Sequence, residues 1–246
     1  MAKRADLGVW AACCPGGHAG WSAPEVRGDY RLVLVRRGRF RRRVAGSVVD
    51  LDPTVAYLGV PGEVESFAHP AGGDVCTSVS MSAALGERLA GRGRPVVYVD
   101  ARVDLAHRRM LASAADVDYG VVEALLGVLA TGSPPSRPAD QALVAQAREA
   151  LATDDATARD LLSLAGALGV SPYRLSRAFT RELGVSVTRY RNRLRVSRAL
   201  DRLEAGERGL ATLAADLGFA DQAHLCRTVR AQVGHTPTAL RRLLKP

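Results

Sequence analysis

The 246-residue sequence predicts an α+β chain of two domains: a small β barrel or sandwich with accessory helices, then an all-α domain. Three observations carry this. Residues 30 to about 100 hold closely spaced β-type runs ("YRLVLV", "FRRRV", "VAYLGV", "EVESFAH", "DVCTSVSM") broken by "RRG", "DP", "PG" and "AGG", which is turn chemistry. The stretch "TGSPPSRPAD" at 131–140 gathers three prolines, a glycine and two serines, a composition that ends helices and reads as a linker. Beyond it, a pattern of two short helices occurs twice. The expected boundaries are 1–103 for the β-rich domain, 104–130 for accessory or dimerisation helices, 131–138 for the linker and 139–246 for the helical domain.

Hydrophobic residues make up 47% of the chain, too many for a disordered protein and enough for a core. No run of about 18 apolar residues occurs, so no membrane span is expected. The opening "MAKRADLGVWAACCPGGHAGW" lacks the apolar centre of a secretory signal, and the expected compartment is the cytoplasm. The net charge is +9, and lysine occurs only at Lys3 and Lys245, so arginine supplies nearly all the positive charge. That balance points to a polyanionic partner, although a solvated basic surface gives the same count. Guanidinium suits planar, bidentate contacts to phosphate or guanine better than lysine does. Cys13, Cys14, Cys76 and Cys226 form no C-x-x-C and stay thiols in a reducing compartment.

In the β-rich half, "RRGRFRRR" (36–43) reads as a strand with a charged outer face, alternating around Phe40 and Val44, and a hairpin beginning at Gly38. From Asp104 to Ala130, Leu105, Met110, Leu111, Val121, Val122, Leu125, Leu126 and Leu129 take helical spacing. They suit either packing against the barrel or a dimer interface.

The helical half is best read from "SPYRLSRAFTRELG" (171–184). Ser171 suits the N-cap, Pro172 the first helical position, and Gly184 the residue just past the end. The helix between them runs about three turns, roughly 18 Å. Leu175, Ala178, Phe179 and Leu183 share one face by spacing, leaving Tyr173, Arg174, Ser176, Arg177 and Arg181 on the other. Upstream, "LLSLAGALGV" adds a short apolar helix and a glycine turn, which completes a helix-turn-helix.

The same pattern returns as "DQAHLCRTVRAQVG" (221–234). Asp221 matches Ser171, Leu225 matches Leu175, Arg227 matches Arg177, Val229 matches Phe179, Val233 matches Leu183, and Gly234 matches Gly184. The preceding helices correspond as "LAGALG" (164–169) and "LAADLG" (213–218). Between the copies, "SVTRYRNRLRVSRALDRLEAG" reads as one long helix holding both units. Residues 171–198 carry eight arginines and one acid, Glu182, an electrostatic footprint for phosphates. A charged coiled-coil face would mix signs.

These residues resemble the AraC/XylS family of bacterial transcription regulators over roughly 139–246. The matching pieces are "LAGALGVSPYRLSRAFTRELGVS", "YRNRLRVSRAL" and "LAADLGFADQAHLCRTVRAQVGHTPTALR", the last holding G-F-x-D-x-x-x-L-x-R followed by G-x-x-P. The resemblance implies that one chain lays two recognition helices into successive major-groove faces of double-stranded DNA. It assigns Tyr173, Arg174, Ser176 and Arg177 to the first helix, and Gln222, Ala223, His224 and Arg227 to the second. Arg174 and Arg177 are the expected base readers, since Arg to guanine is the commonest specific pair. Arg191 and Arg195 are expected on phosphates. Val229 and Leu240 stand where the family usually carries an aromatic, which predicts a softer second unit, and Gly166 sits inside a scaffold helix at a cost of about 1 kcal/mol against Ala.

The front half resembles, more loosely, the cupin-like sensor domain of such regulators, through "LVLVRRGRFRRRV", "DPTVAYLGVPGEVESFAHP" and "GGDVCTSVSM". That implies a small-molecule effector of unspecified identity, a homodimer, and contact with RNA polymerase; it implies no resident cofactor and no membrane. Metal-dependent cupin enzymes carry H-x-H, whereas His69 stands alone in "FAHP", so enzyme chemistry is not expected. A looser set, Cys14 and His18 in "CCPGGH" with His69 and Cys76, offers thiolates and imidazoles suited to zinc. Its spacings also fit ordinary buried His and Cys. The competing readings are therefore a metal- or thiol-based sensor or enzyme on those residues, with DNA binding secondary, and a non-specific DNA-packaging protein.

Overall fold

The computed structural model describes residues 2–3, 7–16, 19–90, 96–112 and 138–244. The chain divides into two compact units, with the first change of unit after Val99. Residues 131–137 of the linker expected at 131–138, and the helical segment beyond Ala112, lie outside the described residues, and Pro138 already opens a helix.

The first unit is built from antiparallel strands: β1 (Ala2–Lys3), β2 (Leu7–Cys14), β3 (Glu25–Val26), β4 (Tyr30–Arg37), β5 (Phe40–Val44), β6 (Ser47–Leu51), β7 (Val55–Gly59), β8 (Val64–Ala68), β9 (Asp74–Met81) and β10 (Val96–Tyr98). They form a six-stranded sheet in the order β1-β2-β9-β4-β7-β10 and a four-stranded sheet in the order β3-β8-β5-β6. One helix, α1 (Ala83–Ala90), packs on β4. The turn between β5 and β6 is the two-residue Ala45-Gly46, both at positive φ. That twist matches the right-handed twist of the flanking strands. All five residues of β7 are buried, as a strand covered on both faces requires. Phe40 on one sheet meets Tyr57 on the other edge to face at 6.4 Å, so the two sheets enclose a common interior.

The arginine run departs from its expected placement. Arg41 pairs outward with Asp50 at 2.8 Å, and Arg43 lies over the Trp21 ring. Arg42, however, is buried on the same face as Phe40, since residues two apart share a strand face. Glu65 on β8 makes this possible by accepting from Arg42 Nε at 2.8 Å.

The second unit holds α2 (Ala101–Ala112), α3 (Pro138–Ala152), a 3₁₀ turn (Ala156–Ala158), α4 (Leu161–Ala167), α5 (Pro172–Leu183), α6 (Val187–Glu204), α7 (Leu210–Asp216), α8 (Gln222–Val233) and α9 (Pro237–Leu243). Leu175, Phe179, Tyr190 and Leu164 are buried around the first helix pair, with the Phe179 and Tyr190 rings edge to face at 5.1 Å. The second pair shares a core of Val196, Leu200, Leu203, Leu213, Phe219, Leu225, Val229, Val233 and Leu240, and Ala101 and Leu105 of α2 belong to it. Val229 and Leu240, both 0% exposed, occupy this core as aliphatic residues.

The stretch 104–130 was expected as accessory or dimerisation helices; its first part lies in α2, which packs on α6 and α8 within the helical unit. Buried charge is the physical reason. Asp104 accepts from Arg108 Nε at 2.9 Å and from Ser197 Oγ at 3.2 Å, and pairs with Arg193 Nη2 at 3.0 Å. Arg108 also reaches Asp201 at 2.8 Å and Glu204 at 2.9 Å. Arg193 is 0% exposed, so this member of the long helix's arginine stripe serves the core and not the phosphate footprint.

Burial alone would raise the Asp104 pKa, but the guanidiniums of Arg193 and Arg108 overcome it and hold the carboxyl below the usual range. Its stabilising effect is therefore complete above the unfolded value of about 3.9 and is lost as pH falls toward the depressed folded value. Asp104→Ala should destabilise the chain by about 3–5 kcal/mol, because two buried cations lose the carboxylate between them. Asp154→Ala, at a 3.7 Å pair whose carboxylate is 70% exposed, should change stability far less. Urea unfolding of both variants at neutral pH checks the ordering.

Candidate nucleic-acid interface

Helix α5 starts where the Ser171 hydroxyl accepts from Arg174 N–H at 3.2 Å, satisfying one of the first-turn donors. It ends at Gly184, φ 73°, whose N–H donates to Thr180 O. Helix α8 repeats the design. Asp221 accepts from His224 N–H at 2.6 Å, and Gly234 closes the helix at φ 78°. Both helices are 12 residues long. Each buries one stripe, Leu175, Ala178 and Phe179 in α5 and Leu225, Val229 and Val233 in α8. The 18-residue α6, about 27 Å long at 1.5 Å per residue, packs against both.

The outer faces differ in chemistry. On α5, Tyr173 (69% exposed), Arg174 and Arg177 are exposed, while Ser176 is half-buried. Arg177 donates to the Tyr173 hydroxyl at 2.8 Å and lies against its ring. This one-turn pairing holds the guanidinium in a restricted range of positions. On α8, Gln222, Ala223 and Arg227 are exposed. His224 is half-buried and turned inward: its Nδ1 accepts from Ala220 N–H at 3.3 Å, and its ring meets Phe219 edge to face. It is thus already engaged in shaping the turn.

The arginine stripe of 171–198 divides into three groups. Arg181 pairs with Asp140, Arg198 donates to Ala152 O, and Arg193 is buried. Arg174, Arg177 and Arg189 are exposed. Arg191 is half-buried and donates to Arg159 O, and Arg195 is half-buried over the Phe219 ring. Burial, then the nearby Arg191 charge, lowers the Arg195 pKa. A phosphate there would relieve that crowding of like charge.

In the β unit, the buried Glu65 takes Arg27 and Arg42 together beneath Tyr57, and burial pushes the Tyr57 phenol up. Among the proposed soft ligands, Cys14 and His69 come together, and His18 lies outside the described residues. Cys76 is buried and donates to Asp74 Oδ2 at 2.9 Å; burial, then this hydrogen bond, push its thiol up. Asp74, which the sequence reading passed over, joins Cys14 and His69. The signal was present in "DVC": residues 74 and 76 share a strand face.

Residues 164–243 match the helix-turn-helix domain family. Over 82 residues the chain is 34% identical to the arabinose operon regulatory proteins of Salmonella typhimurium and Escherichia coli. That stretch is 33% of this chain, 29% of the Salmonella protein and 28% of the E. coli protein, so the match spans under a third of those regulators' own length. Residues 164–243 accordingly form a helix-turn-helix domain. Similar solved structures include ToxT from Vibrio cholerae, at TM-score 0.40 and 10% identity over 98% of this chain and 100% of that one. An AraC-type regulator from Chromobacterium violaceum gives TM-score 0.40 and 24% identity over 43% of this chain and 95% of that one. A cupin superfamily protein from Desulfitobacterium hafniense gives TM-score 0.29 and 14% identity over 33% and 72%. Among the described residues no helix is long and apolar enough to cross a membrane.

Added Cβ atoms at Gly184 and Gly234 would meet nothing within 4 Å, so substitution there strains only the left-handed backbone. Gly184→Ala and Gly234→Ala should each destabilise the chain by about 1–2 kcal/mol, and Ser171→Ala by about 1 kcal/mol. Shifts of the urea midpoint at constant m-value check this.

Proposed function

We propose that this chain is a sequence-specific DNA-binding transcription regulator whose helices α5 and α8 enter successive major-groove faces of one duplex. The observation that carries the reading is the pair itself: two helices of equal length and like caps on one scaffold helix, with different polar side chains facing outward. In this reading Tyr173, Arg174, Ser176 and Arg177 face the first groove segment and Gln222, Ala223 and Arg227 the second, while the inward-turned His224 shapes the turn before that helix. Arg177, steadied by Tyr173, reads a guanine edge, and Arg191 and Arg195 hold phosphates. The match to regulators named for the arabinose operon supports transcription as the process served.

The same proposal gives the β unit a sensing role. Its interior presents Arg27, Arg42, Glu65 and Tyr57 between two sheets, polar groups suited to orienting a small molecule. An effector acts by binding two states of the protein unequally. Homodimerisation, a cytoplasmic location and contact with RNA polymerase belong to this reading as the setting in which a bound regulator changes transcription. Catalysis forms no part of it.

Footprinting on DNA flanking the chain's own gene tests the proposal. The wild type should protect two segments about one helical turn apart. Arg177→Ala should weaken specific binding about 5- to 150-fold, the equivalent of about 1–3 kcal/mol. Arg191→Ala and Arg195→Ala should weaken all sequences alike and reduce the salt slope by about one each. Uniform coverage, indifferent to Arg177, would overturn sequence reading.

A further inference from the structure

The β unit carries a second piece of chemistry, separate from the helical domain. Cys14 ends β2 and pairs in register with Asp74, the first residue of β9. Directly opposed residues put their side chains on one face of a sheet. His69 follows β8 immediately, and its Nδ1 lies 2.6 Å from Asp74 Oδ1. One ligand atom each from Cys14, His69 and Asp74 lie within 4.8 Å of one another. We propose that these three side chains bind a zinc-class divalent ion.

Donor chemistry and geometry agree on this. A thiolate, an imidazole and a carboxylate are the ligand types zinc takes, at about 2.0–2.3 Å, which in a tetrahedron separates the ligand atoms by roughly 3.3–3.8 Å. From the present spacing the His69–Asp74 pair widens and the set as a whole draws in, shifts of about an ångström. A nucleophile–base–acid relay would set sulfur and carboxylate at opposite ends of the imidazole. Here the sulfur, an imidazole nitrogen and a carboxylate oxygen lie within 4.8 Å of one another instead.

The surroundings are built to hold the group. The side chains of His69 and Asp74 are 11% and 6% exposed, and the His69 ring stacks against Phe40 at 5.7 Å. Cys76 donates to the second carboxylate oxygen of Asp74, the outer-shell contact that orients a ligating carboxylate. At Gly73 an added Cβ would come within 2.5 Å of Cys14 O, so only glycine lets the turn before β9 approach the end of β2 this closely. Half-buried Cys14 leaves a side for the fourth ligand, a water or a further side chain. Binding releases the Cys14 thiol proton to solvent as the sulfur becomes a thiolate.

The test uses the full chain, stripped with a chelator and titrated with zinc against a chromophoric competitor, and separately with cobalt(II). One ion per chain and a thiolate-to-cobalt charge-transfer band in the wild type are expected. Cys14→Ser should abolish that band, and Cys76→Ala should lower zinc affinity about 10- to 100-fold. Absence of one-to-one uptake, a cobalt spectrum without the thiolate band, or uptake unchanged in Cys14→Ser would each overturn the site. The wild-type cobalt spectrum decides even if a variant fails to fold. Footprinting reads the DNA proposal separately, so either can fail alone.

Discussion

The helical unit depends on one carboxylate. Asp104 sits between the guanidiniums of Arg108 and Arg193, out of water. Removing a carboxylate from beside a buried cation costs several kcal/mol, so docking α2 stabilises Arg193 of α6 where it stands. Docking α2 brings Ala101 and Leu105 into the core behind α8. The alignment of the second outward-facing helix therefore rests on a segment more than a hundred residues earlier in the chain.

The β unit solves a related problem with the signs exchanged. Glu65 is the buried acid, and Arg27, just past β3, and Arg42 of β5 converge on it. Tyr57 caps the cluster with its ring under Arg42. In both units the charges are paired and hydrogen-bonded inside an otherwise apolar shell. Such an arrangement favours one packing over its near neighbours, since a displaced partner strands a charge.

The helical fold was legible because its signals are local. Ser171, Asp221, Gly184 and Gly234 lie where caps and terminators belong, and the apolar spacing of α5 and α8 names their inward stripes. Partner choice among arginines was not legible. Arg193 and Arg195 are two residues apart on one helix, and only the tertiary position of Asp104 makes the first a core residue. Arg42 hid for a similar reason: it shares a face with Phe40, but its burial needs Glu65, 23 positions away. Asp74 was not legible because soft-ligand spacing involves Cys and His alone, and only the register of β9 against β2 brings its carboxylate opposite Cys14.

The likeness of α5 and α8 in length and caps, set against their unlike outer faces, has a directional consequence. A duplex matched to Tyr173, Arg174 and Arg177 at one turn and to Gln222, Ala223 and Arg227 at the next has no twofold axis within that stretch. It carries an arrow. One copy of the chain would thus sit on its target in a single orientation, distinguishing upstream from downstream without needing a second copy to break the symmetry.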